Sequence, residues 1–261
     1  GSGKPSLGMV SVLLTEQLKR VKEVLATWKK VDDTVSQLCS TSSAAVSAPI
    51  DTACSTNFNI TAGLVGFLSG NFSGKTWRDE YLGVNATVKK DGGAELTDNG
   101  VQFQGALAEW PVGKQGENQL YHFANYSFTL VATVSIQGEL KKGTIPVMGV
   151  RLDGEEEKLM ELSYNSENNE WNLLPGGEDA EEPSSTLATE GSQHVVILIR
   201  NDTQGSAYVD GQSVGNAPFQ LTNANSKEIS HFYIGGDAGG AGSGEDVSVT
   251  VKNVLLYNRP L

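Results

Sequence analysis

The chain has 261 residues, and its 31 acidic and 19 basic side chains give a formal net charge of −12 at pH 7. That balance argues against nucleic acid or an anionic membrane surface as a partner, because both require a clustered basic face. The length suits one sizeable domain with an appendage. The 30 glycines, with many Asn, Ser and Thr residues, indicate short strands joined by turns.

The N-terminal part of the chain predicts one amphipathic helix. Residues 1–8 are interpreted as a vector-derived tail or linker, and residues 9–38 as a linker helix that is helical from about Thr15 to Ser36. The apolar residues that define its stripe are Val12, Leu14, Leu18, Val21, Leu25, Trp28, Val35 and Leu38. So broad a stripe requires a covering surface. The apolar residues approximate a heptad repeat, so self-association as a coiled coil is an alternative, although Asp32 interrupts the repeat.

Two cysteines, Cys39 and Cys54, flank a stretch rich in Ser, Ala, Thr and Pro, and residues 39–60 are assigned to a linker. Their spacing excludes a Cys-x-x-Cys pair, and a disulfide that closes this linker is the simplest interpretation. It would remove roughly 3 kcal/mol of chain entropy from the unfolded state and would imply an oxidising compartment. Two buried free thiols are the alternative.

Five Asn-x-Ser/Thr sequons also indicate secretion, because this is a high density for a chain of this length. The candidate glycosylation sites are Asn59, Asn71, Asn85, Asn125 and Asn201. Asn125 is the weakest of them, since Phe123, Tyr126 and Phe128 place it at the start of an apolar strand.

Residues 61–261 predict a β-sandwich of the jelly-roll type, because short alternating segments recur at nearly regular spacing with Asn, Gly and Asp turns between them. The predicted strands are 100–104, 127–137, 147–152, 159–164, 170–173, 194–200, 206–209, 231–234 and 247–257. Asp210-Gly211 predicts a tight hairpin. The order of the last strands is similar to that of laminin-G and concanavalin A-like jelly rolls.

No pattern in the sequence predicts a catalytic residue, a metal or a cofactor. The three histidines, His122, His194 and His231, lie beside apolar residues at strand starts and are interpreted as structural. No His or Cys pair has zinc spacing. The acidic runs at 153–157 and 178–182 are interpreted as solvated turns, with calcium binding as the alternative. The sequence leaves open whether two carboxylates pair for glycoside hydrolysis, but no motif identifies such a pair.

Residues 249–259, Val-Thr-Val-Lys-Asn-Val-Leu-Leu-Tyr-Asn-Arg, predict a half-buried strand from their residue types alone. This segment also resembles the subterminal VTVxNVxLYNR motif of the trypanosome trans-sialidase superfamily of surface glycoproteins. The resemblance continues at 14–19, 24–28, 62–66, 79–81, 84–87, 110–113, 121–125, 128–133 and 229–233. These stretches are similar to the C-terminal lectin-like portion of a family member, together with the helix that precedes it.

The resemblance implies that this chain is not an enzyme. The family's sialidase chemistry resides in an N-terminal β-propeller with an arginine triad, a Tyr/Glu nucleophile pair and Asp boxes of pattern SxDxGxTW. The nearest fragment here, 70–77, keeps the Gly, Thr and Trp but lacks the Ser and the Asp, and is interpreted as a chance match. In the family the helix joins the propeller to the lectin-like domain, so Leu14, Leu18 and Leu25 are expected to face a propeller.

The function implied is a non-catalytic adhesion module of a parasite surface glycoprotein that binds host cell-surface or matrix glycoproteins or glycans. The motif residues expected to bind a partner are Val249, Val251, Asn253, Tyr257, Asn258 and Arg259. The resemblance further implies an extracellular, cell-surface location through a GPI lipid anchor of the full-length protein, with no other membrane contact. The alternatives are a scaffold that braces the propeller and, least favoured, a sialidase or trans-sialidase activity.

Overall fold

The computed structural model describes residues 13–42, 59–112, 120–138, 144–153, 157–176, 185–215, 218–222, 227–236 and 248–261, and only the backbone of 39–42. Helix α1 spans Thr15–Ser42 and so continues past the predicted Ser36. Cys54 lies outside the described residues, as does the Cys39 side chain, and the disulfide stays a prediction. The described part of the chain holds no helix with the length and hydropathy of a membrane span.

Strands form nearly all the rest of the described structure, together with a 3-10 helix at His122–Asn125. The strands are β1 (Leu64–Ser73), β2 (Thr76–Asp79), β3 (Ala86–Val88), β4 (Ala94–Thr97), β5 (Gly100–Phe103), β6 (Leu107–Pro111), β7 (Ser127–Gln137), β8 (Ile145–Leu152), β9 (Lys158–Asn165), β10 (Glu170–Pro175), β11 (Ser185–Ala188), β12 (Gln193–Asn201), β13 (Gln204–Val209), β14 (Gln212–Ser213), β15 (Phe219–Gln220), β16 (Ile229–Gly235) and β17 (Ser248–Tyr257).

These strands pair antiparallel and form two sheets. Sheet I has the order β3-β6-β16-β8-β9-β10-β11. Sheet II has the order β17-β7-β12-β13, with β5 and β1 along the other edge of β17. Strand β2 pairs with both β1 and β3 and so joins the two sheets. One core cluster takes buried side chains from both, for example Trp110 and Phe232 from sheet I and Phe128 and Val251 from sheet II.

The predicted jelly-roll-type sandwich with one long helix before it is therefore confirmed. The strands that the sequence did not predict are mostly short or interrupted by glycine. The clearest example is β1, where Gly66 and Gly70 break the alternation of apolar and polar residues. The 70–77 fragment forms a hairpin from β1 to β2 that turns at Gly74, and Trp77 fills the core.

Candidate interaction site at helix α1 and strand β17

Strand β17 contains a β-bulge at Asn253 that changes which side chains face the core. The register with β7 shifts between Lys252 and Leu255, and Asn253 has a positive φ of 54°. A bulge inserts one residue into a strand. Asn is one of the few residue types that tolerate this left-handed backbone conformation. The bulge lets apolar side chains of both halves of β17 reach the sandwich core, which they do at Val249, Val251, Val254 and Leu256.

Beyond the bulge, β17 pairs with β1 in place of β5 and presents Leu255 and Tyr257 on its opposite face. There the C-terminal half of α1 packs on sheet II through Val31 and Val35, both buried. The sheet contributes Leu64, Phe67, Val131, Leu255 and Tyr257 to this second apolar cluster. Strand β17, which carries most of the motif at 249–259 (the signature motif), thus lies between the sandwich core and the helix.

A clasp formed by Trp28, Asp32 and Tyr81 fixes the helix at its middle. The rings of Trp28 and Tyr81 stack with centroids 5.5 Å apart and an interplanar angle of 1°, and Trp28 Nε1 donates a hydrogen bond to the Tyr81 carbonyl at 2.8 Å. The Asp32 carboxyl hydrogen-bonds with the Tyr81 side chain. Burial raises the pKa of Tyr81, and the neighbouring Asp32 raises it further.

Asp79 shapes the loop that carries Tyr81. Its buried carboxylate accepts hydrogen bonds from the backbone N–H groups of Phe67, Tyr81, Leu82 and Val84, at 2.9 to 3.1 Å, and from the Tyr121 hydroxyl at 2.9 Å. A carboxylate that takes this many donors fixes the backbone around it. One sequence signal could have identified this role: an Asp at a strand end, followed by a short loop that contains a glycine.

The end of the signature motif forms hydrogen bonds to residues 60–63, the turn just before β1. The Tyr257 hydroxyl donates to the Ile60 carbonyl at 2.7 Å, and Arg259 Nε donates to the Ala62 carbonyl at 3.0 Å. The Asn258 N–H donates to the Gly63 carbonyl at 2.9 Å. Gly63 has a φ of +81°, and an added Cβ would lie 2.9 Å from Asn258 Oδ1, so glycine is required there. Burial raises the pKa of Tyr257.

The motif residues predicted to bind a partner thus divide into two groups. Val249, Val251 and Tyr257 are buried, so no partner of the folded domain can touch their side chains. Asn258 and Arg259 are exposed, and Asn253 is half-buried. Of the six predicted residues, only these last three have side chains that a partner could contact.

The N-terminal half of α1, together with Leu14 just before it, carries an apolar stripe that the described residues leave exposed. Its side chains are Leu14, Leu18, Val21 and Leu25, with exposed fractions of 56%, 61%, 53% and 53%. At about 100° per residue, the stripe is rotated roughly 90° around the helix from the face that packs on sheet II. The helix therefore has two apolar faces, and only one of them is covered by the sandwich.

The outer face of sheet I carries a polar row across five strands. In register, the row reads Thr87, Glu109, Tyr233, Gly149 and Glu161. Its charges are largely paired within the face. Lys89 Nζ lies 2.8 Å from Glu109 Oε2, and Glu161 Oε2 accepts from the Tyr233 hydroxyl at 2.5 Å and lies 2.6 Å from Lys158 Nζ.

The two glutamates of this row lie on strands that are not neighbours. Glu109 and Glu161 are three strand spacings apart, about 14 Å at the backbone. The catalytic carboxyls of glycosidases lie about 5–9.5 Å apart. Within the described residues, no group of three or more His, Cys, Asp or Glu side chains could hold a metal ion. The acidic segments 154–156 and 178–182 lie outside those residues.

The three histidines occupy different environments. His194 is buried, with Nδ1 2.7 Å from Asp210 Oδ2 and Nε2 3.2 Å from the Gly191 carbonyl, and the hydrogen bond to Asp210 raises its pKa. Burial lowers the pKa of His231, whose Nε2 lies 3.8 Å from Glu109. His122 packs edge-on against the exposed ring of Tyr126, with centroids 5.7 Å apart.

The predicted sequons also differ in position. Asn59, Asn71, Asn85 and Asn201 are exposed, whereas Asn125 is half-buried in the 3-10 helix before β7. Their occupancy stays a prediction.

Comparison with known proteins shows similarity over nearly the whole chain. The family model described as the C-terminal domain of trans-sialidase matches residues 60–261. Sialidase 85-1.1 of Trypanosoma cruzi is 34% identical over 273 aligned residues, which cover 100% of this chain and 33% of that protein. A structure of Trypanosoma rangeli sialidase in complex with 2,3-difluoro-KDN is 40% identical, with a TM-score of 0.75, and covers 95% of this chain and 38% of its own.

The chain therefore spans about a third of the length of these relatives. The likeness also extends to a remote fold relative, the binding domain of botulinum neurotoxin serotype D/C. That domain is 12% identical with a TM-score of 0.56 over 77% of this chain and 50% of its own, which shows a shared fold alone.

Proposed function

Because the chain belongs to the trans-sialidase family, whose C-terminal domain it matches, we propose that it is the non-catalytic lectin-like module of a longer sialidase-type protein. In this proposal, helix α1 docks the module against the domain that precedes it in the parent chain. The module acts as a brace that holds that domain in a fixed position.

The observation that carries this proposal is the distribution of exposed apolar side chains. Six exposed large apolar side chains lie on α1 or just before it, at Leu13, Val24 and the four residues of the stripe. The other five in the described structure belong to the sandwich, at Leu96, Leu120, Tyr126, Val195 and Leu261. Contiguous exposed apolar surface is characteristic of an interaction site. The C-terminal half of the same helix packs on sheet II through Val31 and Val35.

The relatives support the same proposal. The T. rangeli sialidase structure covers 95% of this chain, a share too large to leave out α1. The rest of that longer chain supplies a candidate for what covers the stripe. A hydrophobic stripe adjacent to the domain boundary is what a fixed interface between two domains needs.

The test is to express the chain with the coding sequence that precedes it and to introduce Leu18→Asp together with Leu25→Asp. We expect the two charges to loosen the interface and to lower the melting temperature of the preceding domain, as followed by calorimetry. Ala26→Asp is the matched control, because it places the same residue one position along on the helix's polar side. Equal stability of all three proteins, or a gene with no domain ahead of α1, would refute the brace.

A second function, recognition of a host glycan or host glycoprotein during attachment, is favoured by one observation on the sandwich. Leu120 and Tyr126 are exposed, and Tyr126 stands edge-on to His122, so an aromatic patch faces outward just before β7. Exposed Tyr rings are common anchors for binding partners. The motif residues Asn258 and Arg259 offer a second accessible contact.

A glycan and matrix-protein binding array with the wild-type chain, Tyr126→Ala and Arg259→Ala separates these surfaces. Saturable binding that is lost in a folded Tyr126→Ala protein would support recognition through the aromatic patch, and loss in Arg259→Ala would support the signature motif. Absence of saturable binding by the wild-type chain would count against adhesion and leave the brace.

The proposed setting is the parasite surface, with a lipid anchor on the parent protein, and the exposed sequons agree with passage through the secretory pathway. Release of the parent protein from intact cells by a phosphatidylinositol-specific phospholipase would support this anchor. Retention on the cells after complete digestion would exclude it.

A further inference from the structure

One of the five sequon asparagines is part of the framework of the fold. The Asn125 side-chain carbonyl accepts a hydrogen bond from the backbone N–H of Ile229 at 2.7 Å. Ile229 is fully buried at the start of β16, in the centre of sheet I. The 3-10 helix precedes β7 of sheet II, and Ile229 is the first residue of β16 of sheet I, so this hydrogen bond links the two sheets. It also gives the buried N–H of Ile229 an acceptor.

The nitrogen of the same half-buried side chain is also in contact with a neighbouring side chain. Asn125 Nδ2 lies 3.5 Å from His122 Nδ1, and the His122 ring packs against Tyr126. An N-linked glycan is attached at this nitrogen. A sugar on Asn125 would leave the carbonyl bond to Ile229 in place but would have to displace the imidazole ring from beside the amide nitrogen.

The other four sequons have exposed asparagines. Asn59 Oδ1 accepts from Thr61 N and Thr61 Oγ1 at 3.2 and 2.9 Å, and Asn85 Oδ1 accepts from Asp79 N at 3.0 Å. These bonds use the carbonyl oxygen, which a glycosylated asparagine keeps. Asn71 and Asn201 lie on exposed strand positions. A glycan is compatible with the fold at all four positions.

We propose that Asn59, Asn71, Asn85 and Asn201 are N-glycan attachment sites and that Asn125 is a structural strut that stays unmodified. At each attachment site, the amide nitrogen displaces the pyrophosphate leaving group of a lipid-linked oligosaccharide and loses one hydrogen as a proton. At Asn125 the sugar would compete with the His122 ring for the space beside the amide nitrogen, so this half-buried position stays unmodified in the folded chain.

The experiment is site-specific mass spectrometry of the chain secreted from a eukaryotic cell line, with glycans removed enzymatically in heavy-oxygen water so that each occupied Asn is labelled. The proposal predicts label at Asn59, Asn71, Asn85 and Asn201 and an unlabelled Asn125. Label at Asn125 in the folded, secreted protein would overturn the strut, and an unlabelled residue among the other four would overturn the assignment of that site.

Three variants distinguish a strut from a sequon that is merely skipped. Ser127→Ala removes the sequon and keeps Asn125, so we expect an unchanged melting temperature. Asn125→Ala removes the hydrogen bond to Ile229 and should lower the melting temperature by about 4 °C or more. Asn125→Asp keeps an acceptor for that N–H and should restore most of the loss. Equal melting temperatures for Asn125→Ala and Ser127→Ala would overturn the structural role.

Discussion

At the scale of single residues, Asp79 has the largest effect on the candidate site because one carboxylate serves four backbone N–H groups and the Tyr121 hydroxyl. Asp79→Ala would leave buried donors without acceptors, and we expect the free energy of unfolding to fall by at least about 3 kcal/mol in urea titrations. The control is Asp91→Ala, whose exposed carboxylate pairs with Lys75 at the surface. That change should stay within about 0.5 kcal/mol, and similar losses for both variants would contradict the role of Asp79.

The second residue-scale prediction concerns pH and the pair formed by His194 and Asp210. The hydrogen bond to Asp210 raises the His194 pKa above its ordinary 6.5, so the stabilisation from protonated His194 is complete below that pH and is lost as the pH rises through the raised value. Burial alone would raise the pKa of Asp210, but hydrogen bonds from His194 and from the Val195 N–H outweigh it and hold the pKa below 3.8. Its contribution is lost only as the pH falls through that lowered value.

Unfolding in urea at a series of pH values checks this pair. The stability difference between the wild-type protein and His194→Gln should be largest between about pH 4 and pH 6.5, and should shrink at higher pH as His194 loses its proton. Asp210→Asn should flatten the same pH dependence. A difference that stays constant from pH 5 to pH 9 would show that folding does not shift the pKa of His194.

At the scale of the element, the bulge in β17 determines which residues of the signature motif face the core and which face the helix. Asn253 has a φ of 54°, so we expect Asn253→Gly to be close to neutral. Asn253→Val should cost about 1–2 kcal/mol, because a β-branched residue does not tolerate this conformation. Chemical denaturation measures both. Equal stability of the two variants would mean that the strand can be realigned without the bulge.

The same scale includes the docking of α1, where Val35 is fully buried against sheet II. Val35→Ala should reduce the free energy of unfolding by about 1–3 kcal/mol, and limited proteolysis should cut within α1 sooner. Thr34→Ala is the adjacent control, since Thr34 is exposed and bonds only within the helix, to the Lys30 carbonyl. Identical digestion of both variants and the wild-type protein would show that the helix is held elsewhere, for example by the Trp28 clasp.

At the scale of the whole molecule, the uncovered stripe predicts how the chain behaves when it is studied alone. Leu14, Leu18, Val21 and Leu25 form a contiguous apolar surface, so the isolated chain should bind an apolar dye and associate weakly as its concentration rises. Leu18→Asp with Leu25→Asp should abolish both effects, and Ala26→Asp should leave both unchanged. Sedimentation velocity gives the mass. A strictly monomeric wild-type chain without dye binding would contradict an accessible stripe.

The sequence by itself determined the class of fold and its broad order. Strands such as Ser127–Gln137 were predicted with their observed bounds, because long alternation of apolar residues is a local property that survives any packing arrangement. The amphipathic helix was predicted for the same reason. The family resemblance was inferred from the motif at 249–259 and the other matching stretches, and the matching family model confirms it. The bounds at helix and strand ends were less accurate, since they depend on neighbours in space.

Only the tertiary structure decided what the signature residues do. In sequence, Tyr257 and Arg259 look equally suited to a partner, yet Tyr257 lies under α1 and donates to Ile60, whereas Arg259 is exposed. The same holds for Asp79 and Asn125, whose donors come from residues far away in the chain as well as near it. Burial and hydrogen bonds between residues far apart in the chain depend on how the two sheets and the helix pack. A local sequence pattern therefore does not predict them.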